Sequence, residues 1–112
     1  MATYTRHFNA ETRRFFYKKH IVSVSEFYMG YDSYGRPSYF HIYITPVVPA
    51  TTQDFFSIQK NPALAENFFR DGDAIYKIDM ENMKIETISN KFFWPRTIDW
   101  AIEQAKEIVN KL

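Results

Sequence analysis

The 112-residue sequence predicts a single compact α+β domain, residues 1–112, built on an antiparallel sheet of four or more strands. Three patterns lead to this prediction. Ser38–Thr45 alternates apolar and amphipathic residues, as a half-buried strand does. Strand-like segments occur in pairs separated by turn-forming residues. The C-terminal segment has an apolar stripe at helical spacing, so an amphipathic helix should pack on one face of the sheet. The expected core order is β-β-α-β-β-α.

The N-terminal residues 3–20 allow two interpretations. One is a helix from about Ala10 to Lys19, capped by Asn9. The other is a hairpin of Tyr4–Phe8 with Arg13–Lys18, in which residues 9–12 form the turn. The aromatic run in the second of these segments favours strands, but the sequence leaves both interpretations open.

Ile21–Tyr31 is the first clear strand, and its alternation slips between residues 26 and 29, which predicts a bulge or a strong twist. Three apolar residues are its expected buried anchors: Val22, Val24 and Phe27. Turn formers at 32–37 predict that Ser38–Thr45 returns antiparallel to it. The prolines at positions 46 and 49 should then end that strand, because proline cannot donate to a ladder.

The section Thr51–Asp71 has helical features. Thr51 or the residue after it can cap a short turn that carries Phe55, Phe56 and Ile58. Asn61 followed by Pro62 is a second start signal. Four apolar residues then recur at helical spacing: Leu64, Ala65, Phe68 and Phe69. Gly72 should close this second helix in a left-handed conformation.

A second hairpin and the final helix complete the chain. Ala74–Met80 and Met83–Ser89 are predicted to pair around a turn at residues 81 and 82. Thr97 is the expected cap of the amphipathic helix Thr97–Leu112. Its stripe of apolar residues needs a partner surface, and a sheet face can supply it.

Composition excludes several functional classes. The chain has no cysteine, which excludes disulfide scaffolds, thiolate zinc sites and cysteine nucleophiles. It begins without the apolar run of a signal peptide and has no stretch of membrane-spanning length, so we expect a cytoplasmic protein without a membrane partner. Aromatic residues make up 19% of the chain, more than a small core can enclose, and half-exposed aromatic rings are typical of interfaces.

The alternating strand offers the first candidate binding site. Tyr39, His41 and Tyr43 share one face of it, where they could contact a protein partner or stack nucleobases with Arg36 nearby. Alternatively, this face packs beneath a helix and is only part of the scaffold. The outcome depends on the N-terminal segment, because a helix there could cross this face.

A basic and aromatic segment offers the second candidate site. Residues 1–20 carry five Arg or Lys residues against one Glu, although the net charge of the chain is only +1. Cations would meet phosphate while neighbouring rings stack on bases. Four of them would serve nucleic-acid binding together with Arg36: Arg13, Arg14, Lys18 and Lys19. The alternative is a solvated cationic surface over an aromatic core.

A loop before the final helix offers the third candidate site. Phe93, Trp94 and Arg96 belong to a run of large aromatic residues there, which could dock into a partner's pocket. The same residues could instead plug the open end of the core.

Chemical motifs are lacking. Asp71 and Asp73 supply two carboxylates, too few for a calcium or magnesium site, and the three histidines lack metal-site spacing. No nucleophile elbow or glycine-rich phosphate loop occurs, so we expect no metal and no cofactor. A catalytic pair assembled in space, such as His41 with Glu26, stays open.

The sequence therefore favours a small, non-catalytic protein-binding module, such as an inhibitor or adaptor acting on a larger enzyme or complex. The aromatic surplus, the near-neutral charge and the lack of catalytic spacing support this interpretation. The alternative is a nucleic-acid-binding protein that uses the basic segment and the tyrosine face. Two further possibilities are an enzyme of unrecognised type and a chain that forms a homodimer through its aromatic face.

Overall fold

The computed structural model describes residues 7–29, 39–89 and 97–112. It has the predicted α+β architecture, with six antiparallel strands and a C-terminal helix. The strands are β1 His7–Tyr17, β2 His20–Met29, β3 Tyr39–Pro49, β4 Phe68–Asp71, β5 Ala74–Ile78 and β6 Lys84–Ser89. The helices are α1 Thr52–Lys60 and α2 Ile98–Asn110, and short 3₁₀ turns cover Pro62–Asn67 and Met80–Asn82.

Strand β3 is the centre of the sheet. One of its edges pairs along most of its length with β2, as predicted, and β2 pairs in turn with β1. The other edge is shared, because β6 pairs with residues 39–44 and β5 with residues 47–49. Strand β4 then pairs with β5, so that β4 and β5 form a ribbon extending from the far end of β3.

The predicted hairpin of Ala74–Met80 with Met83–Ser89 is therefore wrong. Both segments do form strands, but each pairs with β3 and not with the other. The observed order is β-β-β-α-β-β-β-α, so the expected β-β-α-β-β-α core order is not confirmed.

The helix predicted over Leu64–Phe69 is also wrong. Asn61 does act as a cap, since its Oδ1 accepts a hydrogen bond from the Ala63 N–H at 3.3 Å, but only a 3₁₀ turn follows. The chain becomes strand β4 at Phe68, where two aromatic residues with high strand propensity find a partner in β5. Gly72 has the expected positive φ of 62°, but it closes the β4–β5 turn and not a helix.

Strand β1 settles the N-terminal alternatives. The helix from about Ala10 to Lys19 does not form, and the turn at residues 9–12 does not form either. Instead β1 continues to Tyr17 and turns into β2 through Lys18 and Lys19. The irregularity predicted in β2 lies in its partner, where the register shifts between Asn9 and Glu11.

Pro46 does not end β3, which continues to Pro49. It lies opposite His20, the first residue of β2, where the ladder between these two strands stops. Its carbonyl oxygen still accepts a hydrogen bond from the Asp79 N–H at 2.9 Å, so the missing donor at Pro46 leaves the pairing on the other edge intact.

The core lies between one face of the sheet and α2. Val22, Val24, Phe40 and Ile42 are fully buried in it, and Ile44 is 1% exposed. Helix α2 contributes four buried residues: Ile98, Ala101, Ala105 and Val109. The Thr97 cap is present as predicted, because its hydroxyl oxygen accepts a hydrogen bond from the Trp100 N–H at 3.3 Å. We call this side of the sheet the helix face.

Candidate functional site

The other side of the sheet, which we call the open face, carries the tyrosines of β3. Side chains alternate along a strand, so Tyr39, His41 and Tyr43 point away from the core that α2 covers. Phe27, predicted as a core residue, is half-buried on this face. Helix α1 has no buried residue and packs mainly against the 3₁₀ turn that follows it. Within the described ranges 7–29, 39–89 and 97–112, neither helix lies over the open face.

Four rings on the open face form what we call the aromatic row: Phe27, Tyr39, His41 and Tyr43. The rings of Phe27 and Tyr39 stack with their centroids 5.2 Å apart and their planes 4° from parallel. The His41 ring lies 4.9 Å from Phe27 and 6.1 Å from Tyr43, and the Tyr43 hydroxyl is 3.5 Å from His41 Nδ1. All four side chains are half-buried, so the row is fixed by its own contacts while part of each ring stays accessible.

The aromatic row leads into a groove of about 960 Å³. Tyr43 belongs to both, since it also lines the groove. Polar residues of the open face form one part of the lining: Thr12, Arg14, Ser23, Ser25 and Thr45. Apolar residues and one acid form the other part: Phe15, Phe16, Ile21, Phe68, Phe69, Ile78, Met80, Met83 and Glu66.

The groove exists because the sheet curls. Strands β1 and β4 are at opposite ends of the strand order β1-β2-β3-β5-β4. Even so, the rings of Phe16 in β1 and Phe69 in β4 stack with centroids 5.1 Å apart, and Phe16 also lies 5.6 Å from the Tyr76 ring of β5. The two ends of the sheet therefore meet at this contact, and the groove is the concave side of the curled sheet.

Hydroxyl groups line the floor of the groove. The hydroxyls of Thr12 and Ser25 are hydrogen-bonded across β1 and β2 at 2.9 Å. Ser25 and Thr45 are each 7% exposed, whereas Met80 at one side is 59% exposed. A hydroxyl can both donate and accept, so this floor can satisfy amide groups of either kind beside an apolar surface. Methionine side chains adapt to irregular apolar shapes.

The basic segment is divided between the two faces. Arg13 lies on the helix face, where its Nε is 2.7 Å from Glu11 and its Nη1 is 3.9 Å from Asp99. Lys18 donates to the Asn110 side chain at the end of α2. Arg14, in contrast, lies on the open face and lines the groove. Among the predicted nucleic-acid residues that the structure describes, it does not bring Arg13, Arg14 and Lys18 together on one surface, and Lys19 is exposed in the β1–β2 turn.

A pair of carboxyl groups lies on the helix face. Glu26 is 8% exposed and stands opposite Glu11 in the β1–β2 register. Burial, followed by the hydrogen bond with Glu11, raises the pKa of Glu26 to about 7. The hydrogen bond from Arg13 lowers the pKa of Glu11. His41 lies on the opposite side of the sheet, so the pairing of His41 with Glu26 does not occur.

Several predicted site residues lie outside the described residues: Arg36, Phe93, Trp94 and Arg96. Within the described residues, no group of three or more His, Asp or Glu side chains is placed to hold a metal ion. The groove residues Phe69 and Met83 were not predicted as a site, and Phe16 was included only as a ring of the basic and aromatic segment. They come from separate segments, and no local pattern in the sequence connects them.

Comparison with known proteins gives no family. No protein-family model matches the chain, and no significant match was found among curated proteins or among solved structures. Neither helix in the described part of the chain has the length and apolar character required to cross a bilayer.

Proposed function

We propose that this chain is a small protein-binding module, of the inhibitor or adaptor kind, that contacts a larger enzyme or complex through its open face. One observation carries the proposal: the aromatic row runs directly into the groove through Tyr43, and no described helix covers either of them. Together they form one continuous surface from Phe27 to Phe69.

The chemistry of this surface fits a protein partner. Tyrosine and other large aromatic residues contribute most to the energy of protein interfaces, and here they are held in place by ring contacts before any partner arrives. Hydroxyls and methionines beside them supply adaptable polar and apolar contacts. The volume of the groove alone is at the upper end of the roughly 300–1,000 Å³ typical of small-molecule pockets. Because the surface also extends beyond the groove, its size favours a ligand larger than a small molecule.

Nucleic-acid binding, the second function that the sequence suggests, has less support. Stacking on the aromatic row would need nearby cations for phosphate. Of the described cations in the basic segment, Arg14 lies beside the groove, whereas Arg13 and Lys18 contact partners on the helix face. A protein partner does not require a cationic surface.

The test compares two tyrosine variants with a matched aromatic control. Tagged wild type, Tyr39→Ala, Tyr43→Ala and Phe56→Ala are used to capture partners from extracts of the native host, with and without nuclease. Phe56 is a suitable control because it is 53% exposed on α1, away from the open face. Thermal unfolding of each variant establishes that it is folded.

We expect one partner protein to remain captured after nuclease treatment. This partner should bind the Phe56→Ala variant with the same affinity as wild type. Its affinity for Tyr43→Ala should fall about 30-fold, the size of an interface hot spot of about 2 kcal/mol. Equal capture by all four proteins, or capture that disappears with nuclease, would contradict the proposal. Self-association is examined separately, by sedimentation of the purified chain.

A further inference from the structure

Two residues of opposite charge flank the groove, and neither has an ion-pair partner in the part of the chain that the structure describes. Arg14 of β1 and Glu66 of the 3₁₀ turn before β4 both line it, and both are exposed. Within the described residues, neither forms an ion pair, and they are not within 4.0 Å of each other. The neighbouring arginine of β1, Arg13, is engaged by Glu11 and Asp99 on the far side of the sheet.

Their positions relate them to the place where the sheet closes. Arg14 precedes Phe16 by two residues on the open face of β1, and Glu66 precedes Phe69 by three residues. The Phe16 and Phe69 rings meet at 5.1 Å. The two charges therefore belong to the two chain segments that converge at the Phe16–Phe69 contact, with apolar lining between these segments.

An occupant of the groove would take water away from both charges. A charge that loses water without gaining a partner is destabilised, so an entirely apolar occupant would be penalised at both residues. An occupant with a single negative charge would satisfy Arg14 but be repelled by Glu66. Only an occupant that carries both a negative and a positive charge compensates both losses. Peptide segments with any other combination of charges leave at least one of the two residues unpaired, and the groove therefore discriminates against them.

We propose that the groove binds a peptide segment of the partner in which an apolar side chain lies between an acidic residue, facing Arg14, and a basic residue, facing Glu66. This inference rests on the proposed function and specifies the chemistry of the partner. The apolar side chain contacts Phe69 and Met83, and the hydroxyls of Ser25 and Thr45 meet its backbone amides.

The experiment selects ligands from a phage-displayed library of random 16-residue peptides on the immobilised full-length chain. Wild type, Arg14→Glu, Glu66→Lys and the double variant are used in parallel. Lys84→Glu and Glu107→Lys are matched charge-reversal controls, because both positions are exposed and neither lines the groove. The Phe69→Ala variant tests whether the selected peptides bind in the groove. If Phe69→Ala does not fold, the Met83→Ala variant is used for the same test.

We expect wild-type peptides to share an apolar residue between an acidic and a basic one. Their affinity should fall tenfold or more on Arg14→Glu and on Glu66→Lys, as for close charge pairs at interfaces. Peptides with the two charges exchanged should bind the double variant, and the two controls should match wild type.

Two other results are distinguishable. Peptides that require Phe69 or Met83 but show no charge preference would overturn this inference and leave the proposed function standing. A library without any peptide that depends on Phe69, Met83 or Tyr43 would overturn the proposed function as well. Salt-sensitive binding of a fluorescent oligonucleotide that is lost in Arg14→Glu would also overturn the inference, since it would identify the occupant as nucleic acid.

Discussion

Glu26 shows how a single side chain acquires an unusual property from its neighbours. It occupies a helix-face position on β2, beside the fully buried Phe40 of β3, and its neighbour on β1 is another carboxylate, Glu11. Arg13 holds Glu11 in the charged form, so the proton that the pair retains near neutral pH is on Glu26. Among the described residues, the charged groups around it are Glu11 and Arg13 of β1, and Asp99 of α2, which contacts Arg13.

This arrangement predicts a pH dependence with a defined sign. Glutamate in an unfolded chain has a pKa of about 4.5, whereas burial raises the pKa of Glu26 in the folded protein to about 7. Between these values the folded protein keeps a proton that the unfolded chain has released. The contribution of Glu26 to the free energy of unfolding of the protein therefore falls as pH rises from about 4.5 to about 7.

The Glu26→Gln variant should lack this fall in the free energy of unfolding, because glutamine does not titrate. We expect urea midpoints close to those of wild type at pH 5, and a higher midpoint than wild type at pH 8. Glu107→Gln, at an exposed position of α2, should follow wild type at both pH values. The lowered pKa of Glu11 acts in the opposite sense, at pH values below its usual range, and so does not overlap this window. If the urea midpoints of wild type and Glu26→Gln change with pH in the same way, the raised pKa of Glu26 is refuted.

At the scale of the element, the β1–β2 turn has an unexpected sequence. Lys18 and Lys19 have positive φ values of 46° and 62°, the conformation that two-residue hairpin turns require. Asparagine followed by glycine is the favoured pair at these positions, because glycine has no Cβ and the short polar side chain of asparagine tolerates positive φ, whereas lysine is strained there. Contacts of Lys18 with Asn110 and with the Tyr17 ring compensate part of this strain.

Replacing the turn by Lys18→Asn with Lys19→Gly should stabilise the protein by about 1 kcal/mol, because backbone strain of about 1–3 kcal/mol per residue is relieved while the Lys18 contacts are lost. Urea unfolding at pH 7 measures the change. Lys19→Gly alone keeps the Lys18 contacts and should also stabilise the protein. If the double variant unfolds at lower urea than wild type, the Lys18 contacts outweigh the strain.

Elements with strong local signals were predictable. The threonine caps at Thr51 and Thr97 and the antiparallel pairing of β2 with β3 each depend on neighbouring residues or on one short connection. The pairing of β5 and β6 with β3 was not predictable, because it joins segments that are far apart in sequence. Phe68 and Phe69 fit a helical spacing equally well, and only the pairing with β5 makes them a strand.

The same distinction applies to the candidate site. Alternation along β3 placed Tyr39, His41 and Tyr43 on one face, but their exposure depended on whether the N-terminal segment formed a helix. The groove required the meeting of Phe16 and Phe69, which are far apart in sequence and in strand order. No periodicity within a short segment can predict that contact.

At the scale of the whole molecule, stability is unevenly distributed. The extents are 58 × 31 × 22 Å, and the buried core lies between the helix face and α2. Helix α1 contributes no buried residue, although its capping box between Thr51 and Asp54 is complete. Its contacts with the rest of the protein are few, and include the 3.9 Å pair of Asp54 with Lys77.

Amide hydrogen exchange should reveal this difference. We expect residues 40–44 of β3 to exchange only through global unfolding, whereas residues 55–60 of α1 should exchange through local opening at least a hundredfold faster, because few buried contacts oppose that opening. Mass spectrometry of peptic fragments measures both segments in one experiment. Residues 101–109 of α2 act as an internal control and should be protected like β3. Equal protection of α1 and β3 would show that α1 is coupled to the core.

The shared edge of β3 also sets an order of events during synthesis. Strand β2 precedes β3 and can pair with it at once, but β5 and β6 both follow β3, and β6 ends about 40 residues after it, at Ser89. At 5–20 residues per second, the second edge of the most buried strand waits about 2–8 seconds for its partners. A growing chain is therefore most open to mispairing with another chain along this edge of β3, which the finished fold covers on both sides.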